Sequence, residues 1–476
     1  MTVTATAPDR GAADPRPAPP YRRVPAWVAV VAASLPMFMA TLDNLVMTTA
    51  LPVVRADLGS SVAQLSWFLN AYTITFATFM LPAAVLGDRV GRRRVMLAGI
   101  AVFTLASVAS ALSTSSEALI AARAVQGLGA AAIMPLSLTL LASAVPPAMR
   151  AAAIGIWGGV AGLGVALGPV VGGAVVEGVS WQAIFWLNVP VAAVAVPLLL
   201  MAVPEARGTW VRLDPVGTLL LGGAVFLGIW GIVHGNDDGW TDPAVLGPLV
   251  VAALLVPAYL GWARSRSHAV LPLRLFASRG FSVANAIGLT FTIGMFGAVF
   301  LLSQYLQVVE GYSPLEAGLR TLPWTAAPMV VAPIAGALAP RTGLRALLVT
   351  GLALQTASLV WFAWLTENAQ PYADFVPALA LAGIGMGLTF APSATAVLEG
   401  LPDGDFAIAS SANSTIREFG VALGVALLTA IFLGNGGEIS PVGYDGAVGP
   451  ALLTGAAAVG VALVAALFAP GRPSRR

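Results

Sequence analysis

Residues 87–94 read Gly-Asp-Arg-Val-Gly-Arg-Arg-Arg, which places four arginines and one aspartate within eight positions. The stretches on either side, 65–86 and 95–112, contain no charged residue. Charged side chains are unfavourable in the hydrocarbon of a membrane, whereas long uncharged apolar stretches are stable there. The cluster is therefore predicted to form a short turn between two membrane spans, and its arginines place that turn on the cytoplasmic side.

The composition of the whole chain is also that of a membrane protein. Hydrophobic residues make up 58% of the 476 positions and charged residues only 10%, compared with roughly a quarter in soluble proteins. Apolar runs of about 20 residues, the length that crosses a bilayer, recur along the sequence. The net charge of +2 comes with arginines that lie between these runs. It therefore indicates membrane topology and not nucleic-acid binding.

The residue types that are missing exclude several functions. The chain has no lysine and no cysteine, so it cannot form a phosphate-binding loop with its lysine, a disulfide or a thiolate metal site. The two histidines, His234 and His268, are far apart in sequence and offer no metal-ligand spacing. An intramembrane enzyme would need paired aspartates, a Ser/His pair or clustered metal ligands, and a receptor would need a large soluble domain. We find neither pattern and expect no enzymatic activity, no cofactor and no nucleotide.

Fourteen membrane spans are predicted from the apolar runs. Residues 1–25 and 471–476 are predicted to be cytoplasmic tails of a multi-pass protein of the cell membrane. Prolines at 323, 328 and 333 are expected to interrupt the tenth span, because proline cannot donate a backbone hydrogen bond. The predicted spans are 26–50, 62–86, 95–113, 117–141, 150–175, 183–203, 214–234, 243–263, 282–307, 316–339, 345–365, 373–398, 406–433 and 450–470.

The distribution of arginines supports this count. With the first tail inside the cell, arginines are expected in both tails and after the even-numbered spans. Those loops do contain them. The loops on the other side are poor in arginine, and their charged residues are mainly aspartate and glutamate. The turn after the twelfth span is the exception, since it contains Glu399, Asp403 and Asp405.

The chain contains an internal repeat. The pattern Arg-x-Gly-x-Arg at 89–93 recurs at 341–345, and Gly-x-Ser at 59–61 recurs at 311–313, both at an offset of 252 residues. Six spans need only about 190 residues, so the surplus of about 60 residues predicts two inserted spans. The predicted divisions are a six-helix bundle at 26–204, two inserted helices at 205–265 and a second six-helix bundle at 266–470.

Five motifs resemble signatures of the major facilitator superfamily, in its branch of fourteen-span drug:proton antiporters. Residues 87–94 resemble the loop between the second and third spans. The resemblance covers nearly the whole chain after residue 26. The other four motifs are Gly164-x-x-x-Gly168-Pro169-x-x-Gly172-Gly173 on span 5, Leu42-Asp43 with Ala50-Leu51-Pro52 on span 1, Arg123-x-x-Gln126-Gly127-x-Gly129 on span 4, and Trp181 with Phe185-x-x-Asn188-x-Pro190 at the start of span 6.

The resemblance implies a fold and an activity. The fold is an all-α polytopic membrane protein of the major facilitator type, with two six-helix bundles plus two inserted spans and substrate bound between the bundles. The activity is proton-coupled multidrug efflux, in which an antiporter exports lipophilic, often cationic compounds by alternating access and confers antibiotic resistance. The alternative on the same fold is a dedicated exporter of one endogenous metabolite, lipid or siderophore.

The sequence departs from the family pattern at three positions. Leu45 replaces the usual threonine two residues after the span 1 aspartate, and Pro340 replaces the aspartate in the second copy of the loop motif. Glu418 follows Arg417 where glutamine is expected. This last change can add a second titratable site.

Three charged residues inside predicted spans are candidates for proton coupling: Asp43, Arg123 and Glu418. A carboxylate at the depth of Asp43 usually faces the bundle interior and has a partner there. Burial favours the neutral form of a carboxyl group, so such a group can take up and release protons. Arg123 cannot lose its proton and is expected to oppose protonation of an acidic partner. The alternatives are a structural Asp43–Arg123 ion pair, a packing role for Arg123 and a satisfied structural acid at Glu418.

Polar and aromatic residues on the same spans are candidates for substrate binding. Acids suit a cationic substrate, and aromatic faces suit flat lipophilic cations, although each aromatic residue could instead serve packing. The candidates are Asp43, Gln126, Trp157, Phe296, Asn413 and Glu418, with Phe38, Tyr72, Phe76 and Trp324 as further aromatic possibilities. The expected partners are a small lipophilic substrate, protons and membrane lipids. We expect a monomer, because one chain contains both halves.

Glycines on span 5 are candidates for the conformational switch. Gly164, Gly168 and Gly172 are spaced by four residues, so they form one helix face that another helix can approach closely. Pro169 permits a bend in the helix. Together with Gly173 these residues predict a deformable contact between the halves. The alternative is ordinary helix packing.

The loop motif is the second switch candidate. The resemblance implies that it latches the two halves together on the cytoplasmic side and holds the outward-facing state. Asp88 can accept hydrogen bonds at a helix N-terminus or pair with an arginine. The alternative is that the motif only anchors the topology through lipid headgroups. The residues assigned to the latch are Gly87, Asp88, Arg89, Gly91 and Arg92.

Overall fold

The structure of the chain is a computed structural model. It describes residues 25–146, 149–207, 213–266, 268–368, 370–401, 406–438, 440–444, 446–469 and 471. The predicted tails, 1–25 and 471–476, lie almost entirely outside the described residues, as do Asp403 and Asp405 of the twelfth loop. Within the described part, helices joined by short turns make up nearly the whole chain.

The first half contains the first six predicted spans. The sixth span is divided between two helices, α6 and α7, which meet at Leu187. The inserted pair of spans follows as α8 and α9. These helices are α1 (Ala26–Leu58), α2 (Val62–Val90), α3 (Arg92–Ala111), α4 (Ser116–Ala144), α5 (Arg150–Gly178), α6 (Ala183–Trp186), α7 (Asn188–Ala202), α8 (Pro215–Asp238) and α9 (Pro243–Arg264).

The second half begins after a short 3-10 turn at Leu273–Ala277. Its second span is divided among three helices, α11 to α13. A short helix, α17, precedes the last span. The helices are α10 (Arg279–Val308), α11 (Pro314–Arg320), α12 (Leu322–Thr325), α13 (Ala327–Thr342), α14 (Leu344–Glu367), α15 (Tyr372–Leu398), α16 (Phe406–Gly434), α17 (Pro441–Tyr444) and α18 (Val448–Ala466).

The predicted spans all correspond to helices. Among the described residues, thirteen helical segments are long and apolar enough to cross a membrane. The remaining span is α5, whose shorter apolar part is Ala166–Gly178. The prediction of an all-α polytopic membrane protein is therefore confirmed.

The largest differences from prediction are the length of the first span and the breaks in the tenth. α1 continues to Leu58 instead of ending near residue 50, and it stops at Gly59, whose φ of 64° is left-handed. The tenth span is broken at Thr321 and Ala326. Prolines 323 and 328 each lie in the first turn of a new helix, where a missing N–H is harmless, whereas residue 333 lies within α13.

The internal repeat is visible in the local geometry. Ser61 opens α2 with a capping box to Gln64, and Ser313 opens α11 with a capping box to Glu316, at the same offset of 252 residues. The preceding glycines, at 59 and 311, have φ of 64° and 69°. The same left-handed turn and cap therefore begin the second span of each half.

The two halves meet along two seams. In the first, α1 and α5 pack against α10, α11, α12 and α13; in the second, α2 packs against α16. The inserted helix α8 covers the second seam, because it contacts both α2 and α16. On α2, Trp67 packs against Phe226 and Trp230 of α8, with ring centroids 5.7 and 5.8 Å apart.

The inserted helices are attached to the second half near residues 214 and 270. Asp214 caps α8 and accepts hydrogen bonds from Trp262 Nε1 at 2.9 Å and from Val270 N at 3.0 Å. The Tyr259 hydroxyl donates to Leu271 O and accepts from Leu271 N, both at 2.9 Å. The pair of helices is thus fixed to the segment that leads into α10.

Candidate functional site

The carboxylate of Asp43 is the centre of a buried polar network in the first half. Asp43 lies on α1 and is 5% exposed. Arg123 Nη1 donates to its Oδ2 at 2.5 Å, while Gln126 Nε2 and Asn188 Nδ2 donate to its Oδ1 at 2.8 and 2.7 Å. Donors from α4 and α7 therefore occupy both oxygens, as an ionised carboxylate requires.

The guanidinium of Arg123 is fully enclosed, with 0% exposure. Its Nε donates to Phe68 O at 3.1 Å, and its Nη1 also donates to Gln126 Oε1 at 2.7 Å. The ring centroid of Tyr72 lies 4.4 Å from the guanidinium carbon, within cation–π range. Nη2 has no hydrogen-bond partner in the described part of the chain. Part of the donor capacity of Arg123 is therefore unused in this conformation.

Local sequence explains how these groups meet. Arg123 and Gln126 are three residues apart on α4, so they share one helix face. Asn188 begins α7, and its Nδ2 also donates to Ser107 Oγ on α3 at 2.8 Å; that hydroxyl donates in turn to Phe185 O at 2.8 Å. Asn188 belongs to the span 6 motif but had no predicted role, and a single serine such as Ser107 carries no sequence signal.

A cavity of about 40 Å³ lies between the two halves in this conformation. α1 and α5 form one side of it, and α10, α12 and α15 form the other. Beside it, Ser303 Oγ donates to Thr48 O at 3.1 Å and joins α10 to α1. No charged side chain lies among its described lining residues, which are Leu45, Thr48, Thr49, Pro169, Met295, Phe296, Val299, Leu302, Ser303, Thr321, Trp324, Thr325 and Met386.

The predicted substrate residues are divided between the cavity and the polar network. Phe296 and Trp324 line the cavity. Asp43 and Gln126 belong to the network instead, since their side chains bond to each other inside the first bundle. Leu45, two residues after Asp43, lines the cavity, so α1 presents opposite faces to the two sites.

Trp157 and Asn413 lie apart from both sites. Trp157 Nε1 donates to Ser137 Oγ at 3.1 Å and links α5 to α4 within the first half. Asn413 Nδ2 donates to Asn285 Oδ1 at 3.0 Å and links α16 to α10 within the second half. Their predicted contacts with substrate stay predictions.

Glu418 lies on α16, close to the polar network but in the other half. Its side chain is half-buried, and no hydrogen bond or ion pair to its carboxylate is found among the described residues. Tyr72 lies within electrostatic range of Glu418 as well as of Asp43 and Arg123. Of these groups, the guanidinium of Arg123 is in direct contact with the Tyr72 ring.

Comparison with known protein families identifies the group to which the chain belongs. The sequence profile of the Major Facilitator Superfamily matches residues 33–425. The chain belongs to this superfamily. The match runs from within α1 through the inserted helices and into α16 of the second half.

Relatives within the superfamily are named for resistance and export. The chain is 32% identical to the tetracenomycin C resistance and export protein of Streptomyces glaucescens, over 87% of this chain and 77% of the relative. It is 33% identical to the multidrug resistance protein Stp of Mycobacterium tuberculosis, over 85% of this chain and 75% of the relative. A crystal structure of a POT family transporter in complex with 5-aminolevulinic acid shares the fold, with a TM-score of 0.68 at 14% identity over 93% of this chain and 96% of that one.

The span 5 glycines of this superfamily member pack mainly within the first half. A Cβ on Gly164 would lie 3.2 Å from Thr41, and a Cβ on Gly172 would lie 2.9 Å from Val46 O. Gly168 faces α1 in the same way. The glycine face predicted to join the halves thus holds α5 against α1 in this conformation.

α5 contacts the second half beside that glycine face, at Gly173 and Pro169. A Cβ on Gly173 would collide with the backbone at Leu315 of α11, and Gly318 of α11 lies against the carbonyl of Pro169. Glu177 Oε2 accepts from Leu315 N at 3.3 Å. The first seam is therefore closed where α5 ends and α11 begins, on the side predicted to be extracellular.

The loop motif of the superfamily is folded on itself. Arg92 Nε donates to Asp88 Oδ1 at 2.7 Å, four residues away. Arg89 lies in the last turn of α2, and Gly87 packs against α4. Gly91 separates α2 from α3 with a φ of 131°, which residues with a Cβ rarely adopt.

Glu205 anchors this loop, and sequence reasoning gave it no role. Its carboxylate accepts from Arg93 N at 2.9 Å and from Arg94 N at 3.3 Å, and Arg92 N donates to Ala206 O at 2.8 Å. A carboxylate is favourable at this position because it meets the N-terminus of α3. These contacts join the loop to the start of the segment that follows α7, and the predicted latch to the second half stays a prediction.

Proposed function

We propose that this protein is a drug:H⁺ antiporter that exports small lipophilic compounds through the cell membrane by alternating access. Its similarity to proteins named for export and for multidrug resistance supports this proposal. So does the combination of a buried acid–arginine pair with a cavity between the halves. Both termini are proposed to be cytoplasmic, as the distribution of arginines favours.

The observation that carries the proposal is the enclosed pair of Asp43 and Arg123, 2.5 Å apart. Protonation of Asp43 would neutralise the carboxylate, while Arg123 keeps its positive charge. A buried charge that loses its partner is destabilising by about 3–5 kcal/mol. Protonation therefore favours a rearrangement in which Arg123 gains another partner or water. Proton uptake is coupled to a change of shape in this way.

Glu418 is the second proton-coupling residue in this proposal. It lies on α16, which packs against α2 at the second seam, and it is within electrostatic range of Tyr72 on α2. A positive charge that Asp43 no longer balances is attracted by an ionised Glu418. This attraction acts between α2 and α16, so it acts between the two halves.

The proton gradient supplies enough free energy for export. One proton moving down about 100 mV releases about 2.3 kcal/mol, which corresponds to a concentration ratio of roughly 45. One proton for each exported molecule therefore sustains a substantial gradient without any nucleotide.

Substrate-driven proton flux in proteoliposomes tests the proposal. The purified protein is reconstituted with a pH-sensitive dye inside, and a panel of lipophilic dyes is added under an imposed pH gradient. Asp43→Asn keeps the size of the side chain but removes its charge, so we expect it to abolish substrate-driven proton flux. Asp374→Asn changes an exposed aspartate of α15 and should leave the flux intact. Wild-type flux in Asp43→Asn would remove Asp43 from the mechanism.

A dedicated exporter of one endogenous metabolite, lipid or siderophore is the second candidate. The relative from Streptomyces glaucescens favours it, because that protein is named for a single compound, tetracenomycin C. Expression in a host that lacks its own efflux pumps separates the two candidates. Resistance to many unrelated compounds supports multidrug export, and resistance to one compound supports the dedicated exporter.

A further inference from the structure

We infer that the cavity between the halves selects uncharged, flat aromatic compounds that carry hydrogen-bond acceptors such as carbonyl groups, in preference to cations. This inference rests on the proposed export function and narrows its substrate class. It departs from the expectation of cationic substrates that the family resemblance implies.

The first step is the absence of countercharge in the described cavity wall. Its residues are apolar or carry hydroxyl groups. The nearest acid along α1, Asp43, has its carboxylate inside the first bundle with donors on both oxygens. Glu418 lies on α16, which contributes no described residue to the wall. A cation in the cavity would therefore have no acid beside it.

The second step is the electrostatic penalty that follows. A monovalent ion that leaves water for an apolar enclosure loses several kcal/mol of solvation even after relaxation. An opposite charge can offset this loss of solvation free energy, but a wall of hydroxyl and apolar groups cannot. Uncharged ligands do not face this penalty. The thioethers of Met295 and Met386 and the ring of Phe296 instead offer polarisable contacts to an aromatic molecule.

The third step concerns the hydrogen-bond donors of the wall. The hydroxyls of Thr48, Thr321, Thr325 and Ser303 each donate to a backbone carbonyl. The indole N–H of Trp324 has no acceptor among the described residues, although the residue is only 2% exposed. Buried donors are normally paired, and leaving one unpaired is unfavourable. The nitrogen itself is buried in this conformation, so the cavity must widen and the indole ring must move before a carbonyl oxygen on the ligand can accept from the N–H of Trp324.

Three ligands with the same three-ring skeleton separate charge from hydrogen bonding. Anthracene is a hydrocarbon, anthraquinone carries two carbonyl groups, and 9-aminoacridine is a cation at neutral pH. Their equilibrium binding is measured on the purified full-length protein in lipid nanodiscs, and binding to empty nanodiscs is subtracted. We expect anthraquinone to bind at least about tenfold more tightly than 9-aminoacridine. The free-energy cost of burying an uncompensated charge is larger than the free-energy difference that a tenfold ratio of affinities represents.

Two substitutions in the wall test the physical causes. Trp324→Phe removes the N–H but keeps an aromatic ring, so it should weaken anthraquinone binding by about fivefold to tenfold and leave anthracene binding unchanged. Met386→Glu places a carboxylate in the wall, so it should strengthen 9-aminoacridine binding by about tenfold, whereas the uncharged control Met386→Gln should not.

Three results would overturn the inference. The first is that the wild type binds 9-aminoacridine as tightly as anthraquinone. The second is that Trp324→Phe weakens all three ligands equally, which would assign Trp324 to packing. The third is that none of the three ligands binds. Transport under a pH gradient is a separate measurement: the expected binding pattern without any transport would support the substrate class and reject the export function.

Discussion

The two halves of the protein share one arrangement of helices and turns but differ in the side chains buried inside it. Adding the repeat offset of 252 residues to Asp43 gives Met295. Because α14 is four residues longer than α3, the offset in the following span is 256, and Arg123 corresponds to Leu379. Met295 lines the cavity, and Leu379 is buried in the apolar core of the second half. Apolar side chains thus replace the ion pair at the equivalent positions of the second half. The residues that specify the shared arrangement of helices are therefore not the residues that carry the charge.

An aromatic cluster lies in the core of the second half, whereas the core of the first half contains the polar network. Tyr444 illustrates the contrast: its hydroxyl donates to Leu301 O at 2.9 Å, and burial raises its pKa above the ordinary value of tyrosine, so it stays neutral at physiological pH. This core does not respond to protons as a carboxylate does. The ring contacts of the cluster are Tyr305–Phe375, Phe362–Phe375, Trp324–Phe362, Tyr305–Tyr444 and Phe432–Tyr444.

Removing the charged partner from the first half should have the largest effect. Arg123→Leu leaves Asp43 buried without a cation, so we expect the free energy of unfolding to fall by about 3–5 kcal/mol. A change between apolar side chains in the core of the second half, Phe375→Leu, should lower it by only about 1 kcal/mol. Apparent melting temperatures in detergent compare the two variants.

A double variant separates lost charge from lost packing. Asp43→Asn combined with Arg123→Leu leaves no ionised carboxylate alone, so part of the stability should return. If the double variant is as unstable as Arg123→Leu alone, packing and not charge explains the loss, and the contrast between the halves is weaker than proposed.

Glycine contacts should respond equally in the two halves. Gly99 and Gly351 are related by the repeat offset, and a Cβ on either would lie 2.9 Å from Gly129 O or 2.8 Å from Gly385 O. Valine at either position should therefore lower the free energy of unfolding by about 1–3 kcal/mol, through the same overpacking. The melting assay and the yield of folded protein are measured for both variants. A large difference between the two variants would show that the helix packing of the two halves is not equivalent.

The smallest effect is expected at the capping serines. Ser61 accepts from Gln64 N at 3.2 Å, and Ser313 accepts from Glu316 N at 3.3 Å. Alanine at either position should lower the free energy of unfolding by about 1 kcal/mol. Ser143→Ala, at an exposed position inside α4, is the control without a cap and should change nothing. An equal loss of stability at both caps would confirm that the same capped turn stabilises the second span of each half.

The spans could be predicted because a bilayer demands a long apolar run for every crossing. Their limits were less predictable. Hydropathy reports where the chain leaves the hydrocarbon, whereas α1 keeps its helical hydrogen bonds to Leu58, through an exposed turn with Arg55 and Asp57. The breaks in the tenth span could be predicted from proline, but not which of the three prolines would allow the helix to continue.

Part of the site could also be predicted. Asp43 and Arg123 were expected to meet, because a charge inside a span needs a partner. Asn188 and Ser107 could not be foreseen, since neutral polar side chains carry no such requirement. Nor could the sequence show that Asp43 faces the interior of the first bundle and not the cavity between the halves. Helical periodicity identifies residues that share a face, but the element packed against that face depends on the whole arrangement.

The pair of inserted helices has a consequence for how such a chain is assembled. Six crossings return the chain to its starting side, and the pair α8 and α9 returns it there again. The second copy of the repeat therefore enters the bilayer in the same direction as the first, which lets the two copies keep identical turns. A single extra crossing would have inverted the second copy, so insertions at this junction are compatible with the repeat only in even numbers.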